Sequence, residues 1–250
     1  FSGNDLLGKT QGTITRKTVT AALSGVTDVI EKKAYDGKTT LPDGTDVTNR
    51  VTFRGLLAGD AQLGKVTGVY NTKDVARNAD GTVGTKDVLY TPSLDGTGAA
   101  NYQLKLVSPE GAALTSTTLT GAGQGRILPR QLGFSAGYAE KTYDATPEAA
   151  VINPAFTGFA DGESLTPGTA DAKSLVKAQY GLYDGTTFTP DENVEGDEAY
   201  KAVAYQNLKQ ALAHAAGQTG TIKASNYTIA DTVYFEKAKQ QGKIKRLALS

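Results

Sequence analysis

Short apolar runs alternate with polar positions along most of the chain. Residues 18–23, 88–90 and 102–107 are rich in Val, Thr, Tyr and Leu and stop at Gly, Asp, Asn or Pro. This alternation predicts β-strands. Asp-Gly pairs recur between the runs and predict tight turns, because Gly accepts positive φ at little cost. They begin at Asp36, Asp43, Asp80, Asp95, Asp161 and Asp184. We therefore expect an antiparallel, all-β fold.

Residues 198–216 are the exception, because their composition favours a helix. The segment reads EAYKAVAYQNLKQALAHAA, which is rich in good helix formers. Its beginning nevertheless matches a strand in the first half of the chain, since residues 201–205 repeat the pattern of residues 86–90. We predict that the strand prevails there, and that a short helical insertion remains near 206–216.

A Gly-x-Ile motif followed closely by a basic residue occurs three times. Its glycines are Gly12, Gly125 and Gly242, which are separated by 113 and 117 residues. The repeats of a solenoid span only about 20 to 50 residues. The period therefore indicates that whole domains are repeated.

Further landmarks occur in the same order in both halves of the chain. The matched segments are 31–37 with 139–145, 51–60 with 153–163, 68–70 with 181–183, 86–90 with 201–205, and 100–104 with 225–229. We expect each module to be an immunoglobulin-like β-sandwich or a β-grasp-like arrangement. The predicted organisation is the end of a preceding repeat at 1–11, β modules at 12–124 and 125–241, and the start of a following strand or repeat at 242–250.

Composition excludes several classes of function. Lys+Arg and Asp+Glu both number 26, and no long basic run is present, so we expect no nucleic-acid partner. With no Cys and one His, disulfides, thiolate metal sites, Cys nucleophiles and multi-His centres are impossible. No run approaches the roughly 20 apolar residues of a membrane span, so membrane insertion is not expected. The first residues do not read as a signal peptide, and we expect a piece of a longer protein.

The ordered landmarks resemble the YDG-type repeat of large bacterial haemagglutinins and filamentous adhesins, and the match covers nearly the whole chain. The first copy comprises Gly12, Ile14, Tyr35, Asp36, Gly37, Phe53, Gly55, Gly59, Asp60, Asp74, Val75, Asn101, Tyr102 and Leu104. The second comprises Gly125, Ile127, Tyr143, Asp144, Phe156, Gly158, Asn193, Val194, Asn226, Tyr227 and Ile229. The second copy departs from the pattern at Ala145, which replaces the signature Gly, and at its helical insertion.

This resemblance implies a secreted or cell-surface protein, often of the two-partner-secretion type, whose tandem β modules form a stalk and sometimes a binding tip. The expected function is therefore a non-enzymatic stalk or adhesive segment that mediates cell attachment or biofilm formation. Its expected partners are a host-cell or matrix receptor, or a glycan, and neighbouring repeats of the same chain. A carbohydrate-binding module and a surface hydrolase remain as alternatives.

The Tyr-Asp pairs at 35–36 and 143–144 have two interpretations. Phenol and carboxylate groups can perform acid–base catalysis, but a pair that appears once per module favours a scaffold. We expect the tyrosines to be buried at strand ends and the aspartates to cap turns. The Asn-Tyr pairs 101–102 and 226–227 are interpreted in the same way. An intramolecular Lys-Asn isopeptide bond, from Lys33 to Asn101 or from Lys141 to Asn226, is a further hypothesis.

Two other features have a chemical and a simpler interpretation. Asp184, Asp191, Glu192, Glu195 and Asp197 crowd a short acidic stretch that offers oxygens to calcium, although a solvated loop is the preferred interpretation. His214 stands alone on the expected helix, with no Gly-x-Ser-x-Gly nucleophile motif elsewhere, and is expected to be structural. We expect no other cofactor.

Overall fold

The computed structural model describes residues 13–30, 32–165, 174–196 and 199–248. The chain is 39% strand and 15% helix, which confirms the all-β prediction. Strands β1 to β10 are Lys17–Leu23, Lys33–Ala34, Val51–Arg54, Gly64–Tyr70, Lys86–Leu94, Tyr102–Leu106, Leu119–Gly125, Ile127–Leu128, Arg130–Gln131 and Gly133–Ser135. Strands β11 to β19 are Ala139–Thr142, Glu148–Ala149, Ala155–Thr157, Lys177–Tyr183, Phe188–Pro190, Tyr200–Gln206, Tyr227–Thr228, Val233–Phe235 and Gly242–Lys245.

Short helical segments lie between these strands. Helix α1 is Leu208–Thr219. Single 3-10 turns or short 3-10 helices are found at Thr48–Arg50, Ala58–Leu63, Ala99–Asn101, Ala224–Asn226 and Lys237–Lys239. Within the described ranges, no helix combines the length and the apolar character that crossing a membrane requires.

The chain divides into two compact units. Unit 1 comprises the described residues of Phe1–Lys33, Thr39–Thr72 and Thr85–Arg126, and unit 2 those of Ala34–Lys38, Lys73–Gly84 and Ile127–Ser250. Two short segments of the first sequence module, Ala34–Lys38 and Lys73–Gly84, therefore belong to unit 2. The predicted module boundaries near residues 12, 125 and 242 stay predictions.

Unit 1 contains two three-stranded sheets. In the first, β1 lies between β3, which is antiparallel to it, and β6, which is parallel to it. In the second, β5 lies between β4 and β7, and both pairings are antiparallel. Val19 of β1 and Tyr102 of β6 form a buried cluster in this unit with Leu63, the last residue of the 3-10 helix Ala58–Leu63.

Unit 2 repeats this plan with additions. Strand β9 pairs with β17 in parallel, and β10 pairs with β13 antiparallel. A larger sheet has the order β11-β19-β16-β14-β12, with β15 on β14 and β18 on β16. Within the segment 242–250, predicted to start a following strand or repeat, Gly242–Lys245 forms β19, which pairs with β11 and β16 of unit 2.

Strand register matches residue by residue between the two units. The parallel pairing joins Lys17 to Tyr102 in unit 1 and Arg130 to Tyr227 in unit 2, and the antiparallel pairing joins Ala21 to Phe53 and Phe134 to Phe156. These residues occupy the same places in the sequence alignment of the modules. The repeat inferred from landmarks is therefore also a repeat of structure.

The glycine of the Gly-x-Ile motif is explained by close packing against a tyrosine. Gly242 pairs with Lys201, and a Cβ atom added to it would lie 2.5 Å from the Tyr180 ring and 2.5 Å from Val203. Gly125 pairs with Lys86 in the same way and meets the Tyr70 ring at 2.7 Å. Gly125 and Gly242 thus leave the space that a buried tyrosine ring needs against the strand, and Gly12 lies outside the described residues.

One predicted equivalence is wrong by three residues. The sequence matched Tyr70 with Tyr183, but Tyr70 pairs with Val88 and Tyr180 pairs with Val203, the counterpart of Val88. Tyr180 is also fully buried, as Tyr70 is. The Gly-x-Tyr pattern at 181–183 led to the error, because residue type alone does not fix register.

Replacing Gly242 by Ala is expected to destabilise unit 2 by about 2–3 kcal/mol, because the rings and methyl groups around it are packed and cannot move aside. Urea unfolding monitored by tyrosine fluorescence measures this loss. Gly217→Ala is the matched control, because Gly217 lies in helix α1 with open space around its Cα. Equal stability of Gly242→Ala and the wild type would contradict the packing explanation.

Helix α1 confirms the predicted helical insertion near 206–216. Strand β16 extends to Gln206, so tertiary pairing does override helix propensity in the first part of the segment. Asn207 reverses the chain at φ 63°, and Asp231 accepts the backbone N–H of Lys209 at the start of the helix. Gly220, also left-handed, ends it. The helix buries a narrow apolar stripe consisting of Leu208, Ala211, Leu212, Ala215 and Ala216.

Candidate functional site

Three polar side chains of unit 2 surround the carboxylate of Glu163. Tyr35 donates its hydroxyl hydrogen to Oε1 at 2.5 Å, Tyr227 donates to Oε2 at 2.6 Å, and the Lys73 ammonium lies 2.9 Å from Oε1. The two tyrosine rings meet edge to face, with centroids 5.4 Å apart. Tyr35 is 1% exposed and Tyr227 is 3% exposed. We call these four residues the Glu163 cluster.

Local backbone structure places Tyr35 in this cluster. Its N–H donates to the carbonyl of Leu128, and the next residue, Asp36, accepts the N–H of Lys38 with its side chain. Gly37 completes the turn at φ 76°, a conformation that favours glycine. The predicted role of Asp36 as a turn cap is thus observed.

Asn226 anchors a second segment beside the Glu163 cluster. Its side-chain oxygen accepts the N–H of Val75 at 2.9 Å, and its side-chain amide donates to Asp74 at 2.8 Å. Lys223 makes an ion pair with the same Asp74 carboxylate. Because Asn226 is only 1% exposed, these bonds satisfy a buried amide that would otherwise be costly. The predicted loop-satisfying role of the Asn-Tyr pair is observed here.

Unit 1 contains a smaller version of the cluster at the equivalent positions. Tyr102 donates to the Asp60 carboxylate at 2.6 Å and accepts the N–H of Leu57 at 3.3 Å. In unit 2, Tyr227 donates to Glu163 and accepts the N–H of Ala160 at 3.2 Å. In both units, therefore, one tyrosine hydroxyl donates to a carboxylate and accepts the backbone N–H of the residue three positions before that carboxylate.

The groups of the Glu163 cluster are strongly coupled electrostatically. Burial raises the pKa of Tyr227, and the hydrogen bond to Glu163 raises it further; the same two causes raise the pKa of Tyr35. Burial alone would raise the pKa of Glu163, but hydrogen bonds from Tyr227, Tyr35 and Lys73 outweigh it and lower that pKa. The Glu163 hydrogen bond raises the pKa of Lys73.

These directions determine what the cluster can do chemically. A general acid or base works best when its pKa lies near the working pH. Here the carboxylate is held ionised, and the phenols and the ammonium are held protonated. The arrangement is suited to permanent hydrogen bonding and not to proton transfer at neutral pH.

The cluster is expected to make the stability of unit 2 depend on pH at both ends of the scale. Glu163, whose folded pKa is lowered, contributes stability above its unfolded pKa of about 4.3, and this is lost as the pH falls through the folded pKa. Tyr35 and Tyr227, whose folded pKa values are raised, contribute fully below about pH 10, and their contribution is lost as the pH rises further.

Urea unfolding at a series of pH values tests this dependence. The variant with Glu163→Gln is the control, because its acid limb should be flatter than that of the wild type. Identical acid limbs would contradict the assignment.

The second Tyr-Asp turn, at residues 142–146, has the same backbone conformation as the first, but its side chains have a different environment. Asp144 accepts the N–H of Thr146, as Asp36 accepts that of Lys38, and Ala145 takes the left-handed place of Gly37 at φ 61°. Tyr143, however, is only half-buried. Asn101 likewise differs from its buried counterpart Asn226 and is exposed.

Replacing Ala145 by Gly is expected to stabilise unit 2 by roughly 0.5–1 kcal/mol. The left-handed conformation costs a non-glycine residue about 1–2 kcal/mol, and the greater freedom of unfolded glycine offsets part of the gain. Gly37→Ala should shift stability in the opposite direction. Thermal unfolding of both variants measures the pair of effects, and a loss of stability in Ala145→Gly would contradict the argument.

The acidic stretch proposed for calcium is engaged in other interactions. Asp184 accepts the N–H groups of Thr186 and Thr187, Asp191 binds Lys201, and Glu195 makes an ion pair with Lys237. Glu192 is half-buried in the same stretch, and Asp197 lies outside the described residues. Across residues 13–30, 32–165, 174–196 and 199–248, no three His, Asp or Glu side chains are grouped as metal ligands would be. Calcium binding stays an untested hypothesis.

His214 and the Lys-Asn pairs are also placed by the structure. His214 is half-buried on helix α1, and its Nε2 atom is enclosed without a hydrogen-bond partner among the described residues. Lys141 donates to Asp144 and Thr146, whereas Asn226 binds Asp74 and Val75. Lys141 and Asn226, the second pair considered for an isopeptide bond, therefore each bind other residues.

The structure also buries two lysines that the sequence did not single out. Lys201 is 0% exposed; it makes an ion pair with Asp191 and donates to the carbonyl of Asn193 at 2.9 Å. Lys86, its counterpart in unit 1, donates to the carbonyl and hydroxyl oxygens of Thr72. Both had been matched in the sequence, but only as landmarks of a strand.

In the sequence comparison, Asp60 and Glu163 likewise appeared only as the acidic residues of the Gly-Asp and Gly-Glu landmarks. Their tyrosine partners lie 42 and 64 residues away, so the sequence offered no local signal for the pairing.

Comparison of the chain with family models, with curated proteins and with solved structures finds no match.

Proposed function

We propose that this chain is a non-enzymatic stalk or adhesive repeat segment of a large secreted or cell-surface bacterial adhesin, similar to the YDG-type repeats of filamentous haemagglutinins. The observation that supports the proposal best is the phenol shared between a carboxylate and a backbone amide in both units. An enzyme needs its catalytic group once, whereas hydrogen bonds that hold a loop in place are needed in each repeat.

The directions of the pKa shifts in the Glu163 cluster agree with a structural role. Raised pKa values keep Tyr35 and Tyr227 protonated, and the lowered pKa of Glu163 keeps the acceptor ionised. Such groups hold a loop in place over a wide range of pH. This is a useful property for a protein exposed to the cell exterior.

Display of the chain on a non-adherent bacterium tests the proposal. We expect more attached cells and more biofilm than for bacteria that display a Gly-Ser spacer of equal length, which is flexible and has no folded surface. Antibody staining establishes equal display in both strains. Attachment no greater than that of the spacer strain, to host cells, matrix proteins and plastic alike, would overturn the adhesive role.

A carbohydrate-binding role is a second candidate, favoured by an aromatic stack in unit 2. The rings of Tyr183 and Tyr234 are nearly parallel, with centroids 5.0 Å apart, and Phe188 stacks on Tyr234 at 5.6 Å. Tyr234 is 42% exposed. Beside Tyr183 lies an open cleft of about 260 Å³ that is also lined by Asp184, Glu195 and Lys237. Tyr234 offers an exposed ring on which a sugar can stack, and the cleft beside half-buried Tyr183 offers polar groups to which it can hydrogen-bond.

A glycan array with the wild type and Tyr234→Ala separates this candidate from a purely mechanical role. Binding to a defined set of glycans that Tyr234→Ala loses would support it. Tyr138→Ala is the control, because Tyr138 is equally exposed, at 44%, and lies outside the stack. A silent array, or glycan binding that both variants retain, would count against it.

A further inference from the structure

Unit 1 has an open groove at one edge of its first sheet. Its lining consists of residues 14–17, Leu57, Asp60 and residues 100–102, and its volume is about 560 Å³. Apolar side chains are unusually accessible there, since Ile14 is 100% exposed and Leu57 is 56% exposed. Accessible apolar side chains beside a polar rim are typical of a binding surface.

The equivalent surface of unit 2 is covered. Ile127, the counterpart of Ile14, is 1% exposed, and Ala160, the counterpart of Leu57, is 2% exposed. The covering groups are known: Gly37 lies against Ala160, and Tyr35 packs on Tyr227. A Tyr-Asp turn therefore already binds to one copy of this surface within unit 2.

The carboxylate in the open groove has capacity for a further donor. Glu163 accepts from Tyr227, Tyr35 and Lys73 in the covered surface. In the open groove, the side chain of Asp60 accepts from Tyr102 alone among the described residues. A second phenol at the place of Tyr35 would complete the arrangement.

The chain itself presents a second turn of the kind that fills this surface. Residues 142–146 form the same capped left-handed turn as residues 34–38, and Tyr143 is half-buried. Asp144, which pairs with Lys141 and whose side chain is 53% exposed, carries a charge opposite to that of the exposed cations Arg16 and Lys17 of the groove. The turn and the groove therefore present charges of opposite sign.

We propose that the groove of unit 1 binds the 142–146 turn of a second copy of this chain, with the Tyr143 hydroxyl donating to Asp60, so that copies associate head to tail. Such a contact joins two different surfaces, so each copy can bind one neighbour at either end and association is not limited to a dimer. The inference rests on the proposed role as stacked repeats. In a longer protein the same contact would form between neighbouring repeats, where tethering raises the effective concentration.

Engineered disulfides test the contact, because the chain has no cysteine of its own. A Cβ atom added at Gly37 would lie 3.7 Å from the Cβ of Ala160, which is within disulfide range. The equivalent pair across the proposed contact is Ala145 and Leu57. The full chain with both Leu57→Cys and Ala145→Cys is oxidised at about 1 mM, a concentration at which even a millimolar contact is populated. The variant with Gly37→Cys and Ala160→Cys is the geometric control and should close within one chain.

We expect a ladder of covalent oligomers from the Leu57→Cys and Ala145→Cys double variant, and at most dimers from each single variant. Adding Tyr143→Ser should reduce the ladder at least tenfold, since it removes the phenol that docks. The proposal is overturned if the control pair closes while no ladder forms, or if the ladder persists with Tyr143→Ser. Either failure would leave the attachment assay, and with it the proposed function, unaffected.

Discussion

Replacing Glu163 by Ala is expected to destabilise unit 2 by about 3 kcal/mol. The carboxylate is the acceptor for two phenols that are 1% and 3% exposed and for the Lys73 ammonium. Removing it leaves two buried hydroxyls without an acceptor, and each such loss costs roughly 1–3 kcal/mol. Urea unfolding that is monitored by hydrogen exchange at individual amides assigns the loss of stability to unit 2.

Asp60→Ala is the matched control for this experiment. The Asp60 carboxylate accepts one phenol, from Tyr102, where Glu163 accepts two and an ammonium. Its loss is expected to cost about 1 kcal/mol, in unit 1. A second check is a double-mutant cycle of Tyr35→Phe with Tyr227→Phe, which should show coupling through the shared acceptor. Equal effects of Glu163→Ala and Asp60→Ala would contradict the assignment of the larger network to unit 2.

Replacing Lys201 by Met is expected to destabilise unit 2 by about 3 kcal/mol. Lys201 is 0% exposed in the middle of the larger sheet, and its partner Asp191 is 16% exposed in its side chain. Methionine fills the space of the lysine stem but leaves the Asp191 carboxylate without its counter-ion. Breaking a buried ion pair at one partner typically costs about 3–5 kcal/mol.

Two further variants distinguish lost charge from lost packing. Lys86→Met removes the equivalent lysine of unit 1, which donates to the carbonyl and hydroxyl oxygens of Thr72, and is expected to cost about 1–2 kcal/mol. Adding Asp191→Asn to Lys201→Met should restore part of the stability, because the unpaired charge disappears. No recovery in that double variant, as measured by urea midpoint, would show that the ion pair is not the reason for burying Lys201.

Much of the fold could be predicted from the sequence, because repetition removes ambiguity. Residues 201–205 alone favour a helix, but their match to the strand at 86–90 gave the correct element. The same comparison identified the helical insertion, observed at Leu208–Thr219. The helix propensity of residues 201–205 conflicted with their pairing as a strand, and the comparison between the two modules resolved this conflict.

The rest depends on contacts between residues far apart in the chain. Tyr35 and Glu163 are separated by 128 residues, and Val75 and Asn226 by 151 residues. Nothing local in residues 34–38 or 73–84 indicates that they belong to unit 2. The displaced match at Tyr183 has a related cause, since strand register is set by packing of Tyr180 against Gly242 and not by a Gly-x-Tyr pattern.

The two units are copies of one structure, and in each a tyrosine hydroxyl donates to a carboxylate and accepts a backbone N–H. Native-state hydrogen exchange at the amides of Leu57 and Ala160 tests it most directly. We predict that both amides are protected, that Tyr102→Phe removes the protection of Leu57 alone, and that Tyr227→Phe removes that of Ala160 alone. Protection unchanged in both variants, or absent at either amide in the wild type, would contradict the claim.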